Sequence, residues 1–372
     1  MRHVVPRSRL LRLGAAFALI AGLLSPAAQS AVASASSSTN ASLKHVFVIM
    51  LENHSQSSVL GDANAPFINA LARQYAVAAD YYGVTHPSEP NYVAAISGSN
   101  WFVNDDSPAN RYDHTNLVDQ LEAAHKTWAA YMEAMPSTGF LGDSANGGLY
   151  QSKHNPFVLF TDIRDNPARL ANIKPYSQFA SDLASNHVAD FVWITPDQCN
   201  DMHGGIYSGV AGYPEAPCPY GKTNDDPNDA ALKQKADAFV KTTVEAIMHS
   251  SAWTGNSAIF ILTDENDYTG NAATDGWASA AGCCDSPILP PGYRFLGSNG
   301  VPDGNTWAGG MYGGGLIPAI VVTTHGRRAY TDTTPYNHYS MLKTIEQAWN
   351  LGYLGAASDG AQVTSMLPLI AP

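Results

Sequence analysis

HVFVIMLENH, residues 45–54, opens with seven residues that are almost all apolar and do not alternate with polar ones. A strand half-exposed to water would alternate, so this run reads as a strand buried on both faces, the kind found inside a parallel sheet. PFINALARQY (66–75) follows with helical spacing. Outward from this pair the alternation continues. VAADYY is expected as a second strand and NYVAAIS as the next helix. LVDQLEAA is expected as a helix, TWAAYM as a strand, SQFASDLAS as a helix and ADFVWITP as a strand. A long helix then covers DAALKQKADAFVKTTVEAIMHSSAW, before the strands SAIFILTDE and IPAIVVTTH and the closing helix HYSMLKTIEQAWN. Strand and helix in turn predict an α/β fold, a three-layer sandwich with a mainly parallel central sheet and helices on both faces.

Polar clusters fall where these strands end. Glu52-Asn53-His54 follows HVFVIML, Asp197 to His203 follows FVWITP, Asp264-Glu265-Asn266-Asp267 follows AIFILT, and His325 follows IVVTT. In an open parallel sheet the carboxyl edge is where ligands bind. The Gly-, Pro-, Asn- and Asp-rich stretches 197–230 and 264–315 read as long loops of the kind that carry function.

Four arginines, the apolar run LGAAFALIAGLL and a small-residue zone predict a secretory signal peptide over about residues 1–33. A flexible leader at 34–42 and a single catalytic domain at 43–372 are expected to follow, and the protein to be extracellular. In an exported chain the four cysteines, Cys199, Cys218, Cys283 and Cys284, predict two disulfides, with all three connectivities open. The formal net charge of the 372-residue chain is −12, and removing the four arginines leaves about −16. Such a surface repels nucleic acid and anionic membranes, so no nucleic-acid partner is expected and membrane contact is at most transient. An anionic substrate would then require local positive charge, most economically a metal ion. Sequence leaves the oligomeric state open.

The carboxylates could supply that ion's ligands. Glu52 with Asn53, and Asp264 with Glu265, bring hard oxygens from two strand ends, suited to a divalent cation such as Mg, Ca or Mn, with Zn or Fe if imidazoles join. THPSEPNY (85–92) places Ser88 as the N-cap of the following helix, where its hydroxyl could also ligate the metal and attack an electrophile. The helix end would favour a phosphate. His154, His203 and His338 lie in polar surroundings and suit proton transfer, and Lys153 beside His154 adds positive charge. There is no G-x-S-x-G elbow, P-loop, H-E-x-x-H or dinucleotide fingerprint.

HVFVIMLENHS, THPSEPNYVAAISGS, KHNPF, TPDQCNDMH, ILTDEND and NHYSMLKTIEQAW, in this order, resemble the bacterial phosphoesterase family of the alkaline phosphatase superfamily. That family includes secreted acid phosphatases, a phosphatidylinositol 3-phosphatase group and phospholipases C of phosphatidylcholine type. The likeness runs from about His45 to about Leu354 and implies an alkaline-phosphatase-like fold. It implies Glu52, Asn53, Ser88, Asp264 and Glu265 as metal ligands, and Ser88 as the nucleophile, followed by the Pro90-Asn91 pair. His154 and His203 match histidines that bind phosphate and protonate the leaving oxygen. Lys153, Asn91 and His338 are placed with substrate binding, His338 through the closing motif.

Two departures shape the expectation. His54, Ser55, Gln56 and Ser57 stand where the phospholipases usually carry Arg, Ser, Phe and Asp, and Asn266 stands where many members have His. The second favours one metal over two. The sequence therefore predicts a secreted, metal-assisted phosphomonoesterase of acid phosphatase type, working through a phosphoserine on phosphate monoesters, with a phosphoinositide headgroup among them. The alternatives are a phospholipase C-type phosphodiesterase, approached by lipid through Trp277, Tyr293, Phe295, Trp307 and Tyr312, and a non-catalytic secreted surface-binding protein.

Overall fold

The first strand, β1 (Val46–Leu51), is buried along its whole length, with Val46, Val48 and Met50 packed into one core and Phe47, Ile49 and Leu51 into another. A strand that feeds two cores must lie between two helical layers. The structure, a computed structural model, describes residues 42–103, 105–185, 188–267, 281–284, 286 and 313–371. The predicted signal peptide and the five aromatic residues of the long loop lie outside them. No helix among the described residues is long and apolar enough to cross a membrane.

Seven further strands complete the sheet: β2 (Ala76–Ala78), β3 (Trp128–Met132), β4 (Ile173–Pro175), β5 (Phe191–Thr195), β6 (Ala258–Thr263), β7 (Ala319–Thr323) and β8 (Tyr330–Asp332). Their order is β8-β2-β7-β6-β1-β5-β3-β4. β1 pairs in parallel with β5 and with β6, whose Thr263 is level with Leu51. β3 is parallel to β5 and β4. The predicted α/β architecture holds, with a mixed eight-stranded sheet.

β7 is the exception. It runs antiparallel to both β6 and β2, with Ala319 opposite Leu262 and Thr323 opposite Ala258. Its carboxyl end therefore lies on the far edge, and His325 is not with the other polar clusters. A buried apolar run reads the same in either direction, so its orientation was not legible. Because β7 opposes both neighbours, β2 runs with β6 and delivers the chain to the same edge as Leu51 and Thr263. The VAADYY run divides there: Tyr81–Tyr82 leaves the sheet to pair with Tyr336–Asn337.

Helices α2 (Ser88–Ser97), α3 (Leu117–Ala123) and α6 (His338–Trp349) cover one face, while α1 (Pro66–Gln74), α4 (Phe179–Ala184) and α5 (Pro227–His249) cover the other. α5 starts where Asp226 caps Asn228 N–H and Pro227 takes the first helical position. Its Ala236, Val240, Val244 and Ile247, spaced by three and four, face the sheet. Each large aliphatic so buried contributes about 1.5–3 kcal/mol. α2 is buried on all sides and ends at Gly98, whose φ of 74° and closeness to the Leu354 carbonyl leave no room for a Cβ. Disulfides join Cys199 to Cys218 and the neighbours Cys283 and Cys284.

Candidate active site

Ser88 is not a cap. Pro87 occupies the N-cap and Ser88 is the first helical residue, 1 % exposed. Other groups already hold this helix end: Glu89 N–H donates to Asp106 Oδ1 at 2.9 Å, and Pro90 has no N–H. The hydroxyl turns to the sheet edge instead. It donates to Glu52 Oε2 at 2.9 Å, with Glu265 Oε1 at 3.3 Å and Asn53 Oδ1 at 3.5 Å. Four of the five expected metal ligands thus converge through one oxygen. The fifth, Asp264, accepts from Asn53 N–H at 3.2 Å.

Burial makes this cluster electrostatically costly. Glu52, Asp264 and Glu265 are at most 2 % exposed. Burial first, and Asp264 next, hold the Glu52 carboxyl well above the usual range. Burial and Glu265 do the same to Asp264, and burial raises Glu265 against the pull of His86. Asp264 Oδ2 is buried and meets no hydrogen-bond donor among the described residues. Converging buried carboxylates with an unmet oxygen are what a cation would satisfy, and an all-oxygen donor set fits a hard divalent ion.

His154 packs beside this cluster, with Nε2 3.2 Å from Glu52 Oε1 and Nδ1 3.7 Å from Asp201 Oδ2. Its ring stacks on Tyr92, 5.3 Å between centroids, and lies 5.8 Å from the ring of His203. Burial, then Lys153 and His203, hold His154 well below the ordinary histidine value. Burial and Lys153 lower His203 to about 4. Lys153 is tied to Asp106 at 2.8 Å; burial would lower it, but Asp106 and Glu52 outweigh that and keep it cationic.

Two expected substrate-binding residues are braces. Asn91 accepts from Val84 and Thr85 N–H and donates to the Thr85 and Pro87 carbonyls, so it ties the preceding loop to α2. His338 Nε2 lies 2.5 Å from the Asp264 carbonyl oxygen and Nδ1 3.2 Å from Tyr81 Oη. That places it behind Asp264, which it reaches through the main chain.

Sequence reasoning gave no role to His86, whose Nδ1 pairs with Glu265 Oε2, or to Asp201 behind His154. Both stood inside quoted motifs, THPSEP and NDMH. Asp106 lies in an irregular loop with no motif to mark it. His54 stood in the first polar cluster and as a departure, with no role assigned to it. Its Nδ1 lies 3.3 Å from the Glu52 carbonyl oxygen and its Nε2 2.8 Å from Asp229 Oδ1, while Lys233 Nζ reaches Asp229 Oδ2 at 2.7 Å. Burial would lower His54, but Asp267 and the bonded Asp229 outweigh it and raise the histidine. Donor atoms of His54, Asp229 and Asp267 lie within 4.8 Å of one another. Lys233 already compensates Asp229, so the group acts as a brace from α5 to the turn carrying Glu52 and Asn53.

An open cavity of about 350 Å³ adjoins Ser88, lined by Asn53, His86, Pro87, Tyr220, Glu265, Asn266 and Asp267. The arrangement can hold a divalent cation against a serine hydroxyl, with neutral imidazoles on one side and space for a ligand on the other.

The sequence profile of the Phosphoesterase family matches residues 62–213 and 217–352. The chain is 28% identical over 336 residues to a probable acid phosphatase of Kluyveromyces lactis, covering 88% of this chain and 63% of the yeast protein. It thus spans less than two thirds of that relative's length. It is 26% identical over 324 residues to a phosphatidylinositol-3-phosphatase of Mycobacterium tuberculosis, covering 87% of this chain and 82% of that protein. Among solved structures, a protein from a glycosaminoglycan-metabolism locus of Bacteroides thetaiotaomicron superposes with a TM-score of 0.50 at 11% identity, over 88% of this chain and 82% of that one. That likeness is one of fold alone.

Proposed function

Because this chain belongs to the Phosphoesterase family, we propose that it is a metal-assisted phosphatase that cleaves phosphate monoesters through a phosphoserine at Ser88. One observation carries the reading: Ser88 Oγ sits 2.9 Å from Glu52 Oε2 at the start of a buried helix, inside a convergence of carboxylates. Glu52, Asn53, Asp264, Glu265 and Ser88 would hold one divalent cation, which when bound would supply the positive charge that the developing anionic oxygens need.

Ser88 Oγ gives up its proton as it attacks phosphorus in line with the leaving alcohol, the P–O bond to that alcohol breaks, and the alcohol oxygen takes up a proton in place of the one the serine released. His154 and His203 hold phosphoryl oxygens and carry that proton, with Asp201 orienting His154. Lys153 adds positive charge at the rim. Water then attacks the phosphoserine, releasing inorganic phosphate and restoring the hydroxyl. The acid phosphatase and phosphatidylinositol-3-phosphatase names of the relatives support a monoester, with a phosphoinositide headgroup among the substrates. The basic and apolar amino terminus and the two disulfides support export.

The test is hydrolysis of a chromogenic phosphomonoester and of a phosphocholine diester by wild type and Ser88→Ala, with and without divalent metal. Monoester turnover that disappears in the folded variant is expected. Near-normal turnover in Ser88→Ala would remove the serine from the mechanism, and preference for the diester would move the chain to the phospholipase C reading. A folded wild type inert to both would leave a non-catalytic binding protein.

A further inference from the structure

Asn266 has a side chain that the chemistry above does not use. It is 1 % exposed, yet among the described residues neither Oδ1 nor Nδ2 has a hydrogen-bond partner. Its main chain is fixed, N–H donating to the Gly314 carbonyl at 2.7 Å. The carboxamide lies over Gly315, where an added Cβ would come within 2.2 Å of Oδ1. Only a glycine allows the side chain to stay there. A buried amide with both donor and acceptor unmet is a persistent cost to the fold, and such groups call for an explanation. The surroundings supply one. Asn266 lines the cavity beside Ser88, next to Glu265 and Asp267.

We infer that Asn266 recognises the leaving alcohol, hydrogen-bonding a hydroxyl on a carbon next to the ester carbon, and that the substrates are phosphate monoesters of polyols. This rests on the monoesterase reading and goes beyond it by naming the alcohol. A hydroxyl is both donor and acceptor, so one or two of them meet Nδ2 and Oδ1 together. The rest of the lining fits the same class. Tyr220, His86 and Asn53 add polar atoms beside the apolar surfaces of Pro87 and the Tyr220 ring, so the lining offers hydrogen-bond partners to a hydroxyl-bearing alcohol. Asp267, next to Asn266 in the lining, is acidic, which makes neutral hydroxyls the compatible substituents beside the amide. Asn266 is a specificity-determining residue on this account, placed one residue beyond the metal-ligand pair.

Glycerol 2-phosphate and isopropyl phosphate test this directly, because they share a carbon skeleton and differ only in two hydroxyls. Wild type is expected to favour glycerol 2-phosphate in kcat/KM by at least about tenfold, since a site built to bond a hydroxyl discriminates against an analogue without it. In Asn266→Ala the ratio is expected to fall towards one. Gly315→Ala, which displaces the carboxamide without removing it, should lower the ratio as well. A wild-type ratio near one overturns the inference even if neither variant folds. An unchanged ratio in folded Asn266→Ala overturns it too. So does an equal loss on both esters that excess divalent metal restores, which would make Asn266 a metal ligand. Wild type inert towards both esters would bring down the monoesterase reading itself, an outcome distinct from the other three.

Discussion

Replacing Glu52 by Gln should make the metal-free protein more stable while removing its response to metal. Glu52 Oε2 and Glu265 Oε1 are each close to Ser88 Oγ, at 2.9 and 3.3 Å, so they are at most about 6 Å apart. Two full charges at that separation repel by roughly 3 kcal/mol at an effective dielectric of about 20. The metal-free protein must bear that repulsion or take up a proton to avoid it. Burial first, then Asp264, raise the Glu52 carboxyl and favour the second course, with Glu265 adding a smaller push in the same direction. The sign follows. A carboxyl whose folded pKa lies above its unfolded value binds more protons in the native state, so stability falls as pH rises from the ordinary glutamate range through the raised value. Gln carries no charge to repel and no proton to lose. Metal-free Glu52→Gln should therefore melt several degrees above metal-free wild type at pH 8, the difference shrinking towards pH 4. Added divalent metal should raise the wild-type Tm in proportion to its binding free energy and leave the variant almost unmoved. Thermal melts in chelator and in millimolar metal, at both pH values, read all of this. A metal-free variant less stable than wild type at pH 8, or one that metal stabilises equally, would refute the account of the cluster.

Two further outcomes follow from the framework around the site. Asp229→Asn leaves the fully buried Lys233 with Asp62 as its remaining charged partner and loosens His54 from the Glu52 turn. It should cost about 3 kcal/mol in a urea melt, as breaking a buried pair usually does, and should weaken metal binding measured by competition with a chelator. Cys199→Ser with Cys218→Ser opens the loop that carries Asp201 and His203, with a sequence separation of 19 between its ends. Closing a loop of this size is worth roughly 3 kcal/mol, so a lower urea midpoint together with a reduced kcat is expected, and loss of stability alone would separate the loop from the chemistry.

How far the sequence was legible depended on the kind of signal. Strands β1, β5 and β6 are uninterrupted apolar runs ending in acids or amides, and the same pattern that names them as buried also names their carboxyl ends as the site. That Glu52, Asp264 and Glu265 gather at one sheet edge was readable for that reason. β4 was not: NIKPY has no apolar run, and Ile173–Pro175 becomes a strand only because β3 offers an edge to pair with. Direction was hidden as well, since reversing an apolar run leaves its pattern unchanged, and His325 went to the wrong edge with β7.

Within the site, chemical type was legible and contact was not. Ser88 stood where a cap is expected, and capping rules look only at neighbours in the chain. What decides its role is Glu52, thirty-six residues away in sequence, together with Asp106, which takes the Glu89 N–H from outside the helix. Both are long-range facts. His338 and Asn91 show the converse: residues of the right type in the right motif, turned by tertiary packing to brace the chain. Asn266 combines the two cases. Its departure from the expected histidine was visible in the sequence, but only the structure shows that neither end of its amide is met. A polar side chain left unmet in a buried place costs stability without return unless something arrives to meet it, and on the inference drawn for Asn266 that would be a substrate hydroxyl beside Ser88.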